Sequence, residues 1–377
     1  MKYPPINYHD YLKLNSLLDS QKLRSAEFGH KAHDELLFIT VHQTYELWFK
    51  QILWEIDSVL EVFHKDYVTE NEMGTVAARL SRCSDIFKFI LGQIDLLETM
   101  TPLDFMDFRD FLYPASGFQS YQFRMIETKL GLKQDQRLSY NQQPFYAHLE
   151  KNQQDDVRKA LELPSLFDRL ECWLKRMPFI QSEHFSFWQE YQKAVAEMFR
   201  EDTDVVTNNS RLSPLEREKT LQQLQGAQDI FAALFDPQKF QKLNEENYFR
   251  LSVDAVKSAL FILLYRNEPA LQISFQVIQT LQDIDESLTQ WRYRHALMVH
   301  RMLGKKIGTG GSSGHDYLSS TIDKHKIFKD FFNLSTFLIP KSKRPKLPPQ
   351  LQKQLKFGFE NQNAELGNIR NQDGSDR

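Results

Sequence analysis

Two histidines set into apolar helical faces are the residues best suited to chemistry. Ile284, Leu288, Trp291, His295, Met298 and Met302 recur at spacings of four and three, so they line one helical stripe. His295 then points inward between a tryptophan and two methionines. Phe38, His42, Tyr45, Phe49, Ile52 and Ile56 repeat the pattern on an earlier segment. A single buried histidine is commonly a hydrogen-bonded core residue. Two of them on separate helices, each among aromatic and aliphatic side chains, suit a flat apolar group between them. Haem needs such a slot, with one imidazole on its iron and the opposite face open or guarded. His300 competes with His295 for that role: five residues on, it lies about 140° round the helix, so both cannot face one iron. Arg109 closes the run Phe105, Phe108, Arg109. A guanidinium beside an aromatic pocket suits a substrate carboxylate. A surface pairing with Asp107 or Asp110 fits its spacing equally well.

Other chemistries lack their residues. His33-Asp34-Glu35 starts like a zinc-protease motif, but no second histidine follows at the required spacing. No CxxC, no GxGxxG after a strand and no P-loop occurs. The stretch Gly308-Thr309-Gly310-Gly311-Ser312-Ser313-Gly314 is glycine-rich without the Gly-Lys-Ser/Thr ending of a phosphate cradle, and a flexible surface loop accounts for it. The formal net charge of −3 gives no electrostatic footprint for nucleic acid. Two cysteines, Cys83 and Cys172, cannot build a disulfide framework. The start Met1-Lys2-Tyr3-Pro4-Pro5 has no signal-peptide core. The most apolar run, Ala259 to Tyr265, is far shorter than the roughly 20 residues of a membrane span. A cytoplasmic protein is expected.

The elements that position these residues are helices. Glycine and proline are scarce, at 14 each, which favours long helices over turn-rich β structure. Aromatics reach 13%, enough for a large core or for a pocket that takes a flat ligand. Periodicity predicts a short helix Tyr8 to Leu18, a polar linker Asp19 to His30, and long helices from Asp34 to about Phe63 and from about Met73 to Glu98. Phe105 to Leu112 forms a shorter helix that stops before Pro114, and Phe118 to Lys129 resumes as far as Gly131. The pattern is helical but less regular from Gln143 to Arg200. Glu201 to Pro214 is expected as an exposed connection. Helices then follow at Leu215 to Leu234, Val253 to Tyr265 and Pro269 to Leu303, the last ending at Gly304. The expected architecture is all-α: one helical domain over residues 1–360, with an inserted helical segment over about 134–236 and a disordered polar tail over 361–377.

Three longer stretches carry a family resemblance. His42-Gln43-Thr44-Tyr45-Glu46-Leu47-Trp48-Phe49-Lys50-Gln51-Ile52 resembles the first signature of the tryptophan 2,3-dioxygenase family. Phe108-Arg109, Pro114-Ala115-Ser116-Gly117-Phe118-Gln119-Ser120 and Gln122-Phe123-Arg124 resemble the second. Trp291-Arg292-Tyr293-Arg294-His295, through His300-Arg301-Met302, to Gly308–Gly314 resembles the third. The resemblance implies a haem dioxygenase that opens the indole C2–C3 bond of L-tryptophan with O2 to give N-formyl-L-kynurenine, the first step of the kynurenine pathway. It implies haem b, one per subunit, ligated axially by His295. Ser116 and Gly117 stand for positions beside the haem propionate and the indole, and Trp291 is counted with the cofactor-binding residues. His42 matches the distal catalytic histidine that meets the indole N–H. Phe38 and Phe105 match pocket walls. Arg109 matches the carboxylate-binding arginine, and Thr309 the threonine at the substrate ammonium and carboxylate. A homotetramer is implied, with Tyr8 and Tyr11 reaching from the exchanged N-terminal helix into a neighbouring subunit's pocket. No nucleic-acid or membrane partner is implied, and no function attaches to the central segment.

Overall fold

Hydroxyl side chains just ahead of the periodic segments set where several helices begin. Thr69, Thr101 and Ser213 each accept from the backbone three residues on, where an acidic side chain bonds back to the cap residue. Pro102 and Pro214 add a preset backbone angle at the first turn.

The structure, a computed structural model, describes residues 3–137, 144–182, 185–304, 306, 318–319, 321–322 and 324–356. Among them the helices are α1 (Tyr8–Leu12), α2 (Leu14–Leu18), α3 (Arg24–Glu27), α4 (Glu35–Phe63), α5 (Glu70–Leu97), α6 (Pro102–Arg109), α7 (Tyr121–Leu130) and α8 (Lys151–Glu162). There follow α9 (Leu166–Leu174), α10 (Phe187–Thr207), α11 (Pro214–Phe235), α12 (Pro237–Glu245), α13 (Val253–Leu264), α14 (Pro269–Leu303), α15 (Lys329–Asn333) and α16 (Pro349–Leu355). Strand among the described residues is confined to one antiparallel ladder, Gln181↔Ser186 and Ser182↔Phe185. The fold is all-α, as the periodicity predicts.

Helix α5 packs along both α14 and α4, and this trio forms the spine. Its seam is apolar: Ile52 and Val59 of α4, Val76 and Leu80 of α5, and Ile278, Leu281 and Ile284 of α14 are all fully buried. Each such side chain contributes about 1.5–3 kcal/mol on leaving water. Helix α13 is apolar all round because it is buried all round, from Ala255 to Leu264 with only Lys257 breaking the run. The apolar run Ala259 to Tyr265 is therefore core, and no described helix is long and apolar enough to cross a membrane.

Several boundaries differ from the sequence expectation. The first helix is broken in two by Lys13, whose φ of 55° puts it in the left-handed region. A short helix, α3, lies inside the expected linker because Glu35 caps it, accepting from the backbone N–H groups of Arg24 (2.7 Å) and Ser25 (3.0 Å). Helix α10 continues through Glu201 to Thr207, into the expected connection. Helix α12, for which the periodicity gave no sign, is started by Asp236, whose carboxylate accepts from Gln238 and Lys239 N–H. Within 134–236, α10 and α11 pair as a helical hairpin, whereas α9 packs on α4 and α13, and α8 on α7. The expected disordered tail and the glycine-rich stretch lie outside the described residues.

Gly131 ends α7 with φ +117°, and a Cβ there would stand 2.8 Å from both Phe167 Cβ and Ser165 Oγ. Left-handed strain and overpacking together predict that Gly131→Ala destabilises the fold by about 3 kcal/mol. A urea midpoint unchanged from wild type would contradict that expectation.

Candidate active site

Helix α4 presents Phe38 and His42 one turn apart, with ring centroids 4.0 Å from each other. His42 Nδ1 lies 2.7 Å from the Phe38 carbonyl oxygen. A carbonyl only accepts, so Nδ1 carries the proton and the neutral ring keeps Nε2 as a free acceptor. Burial lowers the His42 pKa, against the opposing effects of the Phe38 bond and the Glu46 charge. Yet the side chain is exposed to water. Protein surrounding a residue that water can still reach describes the wall of a recess. Glu46 is itself fixed: it accepts from Ser120 Oγ (2.6 Å) and from Gln122 Nε2 (2.8 Å to the carboxylate, 2.7 Å to the carbonyl). These bonds tie the start of α7 to α4 one turn beyond His42.

The opposite wall belongs to α14. His295 stacks on Trp291 at 5.0 Å and 22°. Trp291 meets Phe123 of α7 at 5.0 Å and Tyr45 of α4 at 6.3 Å. The atoms His295 Nδ1 and Trp291 Nε1 are sealed from solvent, with no hydrogen-bond partner among the described residues. Burial, and then the positive charge that His42 would carry, push the His295 imidazole down from 6.5 to about 4. The two histidines are therefore near enough to influence each other, and burial keeps both neutral at physiological pH. The influence of His42 thus falls on His295, whereas His300 lies exposed elsewhere on the helix.

The third wall is aromatic. Phe105 and Phe108 of α6 stand edge to face at 5.4 Å and meet Phe38 at 5.8 and 5.5 Å. Arg109 follows on the last turn of α6 and is half-buried. The short 3-10 turn after it, Asp110–Leu112, is held from outside, where Phe28 stacks on Phe111 at 5.3 Å. Ser116 caps the next turn, Gly117–Gln119, its Oγ accepting from Phe118 N–H at 3.4 Å.

Phe38, His42, Phe105, His295 and Trp291 are thus gathered around one recess, with Arg109 continuing the Phe105–Phe108 wall. Tyr8 and Tyr11 are 70% and 71% exposed on α1, and among the described residues no ring contact or hydrogen bond joins them to Phe38, His42, Phe105, Trp291 or His295. Thr309 lies outside the described residues. Periodicity alone singled out neither Phe123, which braces Trp291 from α7, nor Glu46. Among the described residues no three His, Cys, Asp or Glu side chains converge on one point that could hold a bare metal ion. A porphyrin brings four nitrogens of its own and asks the protein for one neutral imidazole on an apolar wall. His295 meets both conditions.

Residues 3–338 match the family model described as tryptophan 2,3-dioxygenase. The tryptophan 2,3-dioxygenase of Bdellovibrio bacteriovorus is 58% identical over 95% of this chain and all of its own length. That of Alteromonas mediterranea is 47% identical over 94% of this chain and 98% of its own. That of Xenopus tropicalis is 44% identical over 92% and 85%.

The His295 pKa has a consequence for stability. Between pH 6.5 and about 4 the unfolded chain takes up a proton that the folded imidazole refuses. Apoprotein stability therefore falls as pH drops through that window, and the contribution vanishes above it. In His295→Leu apoprotein the fall in thermal midpoint over the same window should be smaller. Equal falls in the two proteins would count against a buried, neutral His295.

Proposed function

Since the chain belongs to the tryptophan 2,3-dioxygenase family, we propose that its recess holds haem b and L-tryptophan together and orients the indole for cleavage. The reaction is the oxidative cleavage of tryptophan in the first step of the kynurenine pathway. O2 is split across the indole C2–C3 bond, both oxygen atoms are kept, and N-formyl-L-kynurenine leaves. The family is haem-dependent, and haem when bound supplies the iron that activates O2.

His295 would hold the haem iron, with one haem per subunit, and Trp291 stacks against its imidazole. The observation that carries this assignment is the nearness of two imidazoles in apolar surroundings, His42 against Phe38 on α4 and His295 stacked on Trp291 of α14. Ser116 and Gly117, at the start of the turn after Arg109's helix, would accommodate a propionate and the edge of the indole. His42 holds the substrate ring. Its Nδ1 proton is committed to the Phe38 carbonyl, so Nε2 accepts from the indole N–H. That N–H is too weak an acid for imidazole to deprotonate, so His42 orients the ring and does not act as a full base. Phe38 and Phe105 flank the indole. Arg109 clamps the carboxylate, and Thr309 meets the ammonium and carboxylate, which selects the L-amino acid.

A homotetramer in the cytoplasm completes this picture. Trp54, Phe89, Tyr293 and Leu297, on the three spine helices, are 74%, 58%, 51% and 42% exposed in the single chain. Apolar surface of that kind is characteristically covered by another subunit. Tyr8 and Tyr11, exposed on α1, would then reach a neighbour's recess.

Ascorbate-reduced, haem-loaded protein given L-tryptophan and air should develop the near-ultraviolet absorbance of N-formylkynurenine. His295→Ala should abolish it, and His42→Ala should reduce it without abolishing it. No absorbance from wild-type protein with a normal Soret band would overturn the assignment. Arg109→Ala should raise KM for L-tryptophan by about a hundredfold or more at normal haem content. An unchanged KM removes Arg109 from the clamp.

A further inference from the structure

Outside the recess, the densest group of titratable side chains surrounds Glu127 near the C-terminal end of α7. Glu127 Oε2 accepts from Arg124 Nη1 at 3.0 Å and from Arg137 Nη1 at 2.7 Å. Oε1 accepts from Arg292 Nη2 at 2.9 Å and lies 3.8 Å from His325 Nδ1. Glu127, Arg292 and His325 are 1%, 2% and 3% exposed. Burial by itself would raise the Glu127 carboxyl, but Arg137, His325, Arg124 and Arg292 together hold it well below the ordinary range. Burial also lowers the His325 pKa, against the pull of Glu127. One carboxylate thus faces three guanidiniums in the dry interior.

Desolvating each of these ions costs several kcal/mol, and apolar side chains of like volume would avoid that cost. What ions add is direction, because a guanidinium fork and a carboxylate meet in few geometries. Arg292 uses its fork twice, donating through Nη2 to Glu127 and through Nη1 to the His325 carbonyl at 3.1 Å. Two turns earlier on α14, Asp285 accepts from the backbone N–H groups of Ile327 (2.9 Å) and Phe328 (3.3 Å). Helix α14 is therefore fastened to the 325–328 segment at two heights. Towards α7 it is fastened by neighbouring residues: Trp291 packs on Phe123, and Arg292 bonds Glu127 one turn further along α7. Two such rungs fix the rotation of α14 about its own axis. His295 is three residues beyond Arg292, so that rotation decides where its imidazole points.

We infer that the Glu127–Arg292 pair is a positioning device for the reaction, aiming His295 into the recess. The inference rests on His295 being the haem ligand, as proposed above. Arg137 reaches the other oxygen of the same carboxylate and also bonds Thr128 Oγ1 and the Leu132 carbonyl, and among the described residues no hydrogen bond joins it to α14. It serves as the internal control for any loss of stability.

The test is resonance Raman spectroscopy of the ferrous, haem-loaded protein, reading the iron–imidazole stretching band, with steady-state kinetics alongside. Arg292→Lys keeps the charge and loses the double fork. It should shift or broaden the band and lower kcat about tenfold or more, leaving KM for L-tryptophan within about twofold. Arg137→Lys should leave band and kcat as in wild type. If Arg292→Lys does not accumulate as folded protein, Glu127→Gln carries the same expectation. A band unchanged in the α14-side variant, or moved alike by both substitutions, overturns the inference alone. No iron–imidazole band in wild type overturns the His295 assignment and the inference with it.

Discussion

An imidazole kept neutral by burial is the constraint around which the rest is arranged. His295 can serve as a ligand only while its nitrogen lone pair is free, and the apolar wall of α14 keeps it free well below physiological pH. Maintaining that wall requires α14 to pack along its length. The α5 seam does this on one side, and the Trp291–Phe123 contact extends it towards α7. Because α5 also packs on α4, one helix sets the spacing of both recess walls. His42 is placed opposite His295 by the same packing that builds the core.

The recess then divides its work by chemistry. Its apolar faces come from Phe38, Phe105 and Trp291. Its directional groups are few, and each is steadied from behind. His42 is held by the Phe38 carbonyl, and the turn of α4 beyond it is tied through Glu46 to α7. The turn after Arg109 is braced by the Phe28–Phe111 stack, and Phe28 follows α3, which Glu35 caps. Glu35 opens α4, so the helix bearing His42 also secures the approach to Arg109.

Much of this was legible in the sequence, and the reasons differ from residue to residue. The faces bearing His42 and His295 are contiguous stripes on single helices, and Pro269 to Gly304 marks the bounds of α14 in sequence as in structure. Periodicity reports such local facts well. It cannot report partners far apart in the chain. Glu127 and Arg292 are 165 residues apart, and each looks like an ordinary surface charge within its own helix. The break at Lys13 escaped for a different reason: no glycine or proline announces a left-handed residue there. The caps of α3 and α12 were equally hidden, because Glu35 sits eight residues beyond the end of α3, and Asp236 follows a helix that already appeared to have ended. Choosing between His295 and His300 rested on the family resemblance, since spacing favours His295 only modestly.

The two five-residue helices at the N-terminus carry a thermodynamic implication. Helices α1 and α2 bury no residue of their own, and isolated helices below about 12–15 residues are marginal in water. Any lasting order in this segment must come from a surface it settles on. On the proposal that Tyr8 and Tyr11 reach a neighbouring subunit, that surface would be another molecule, and folding of the segment would become part of the association equilibrium. Dilution and loss of a complete substrate pocket would then be one event, and the enzyme's affinity for tryptophan would depend on its own concentration.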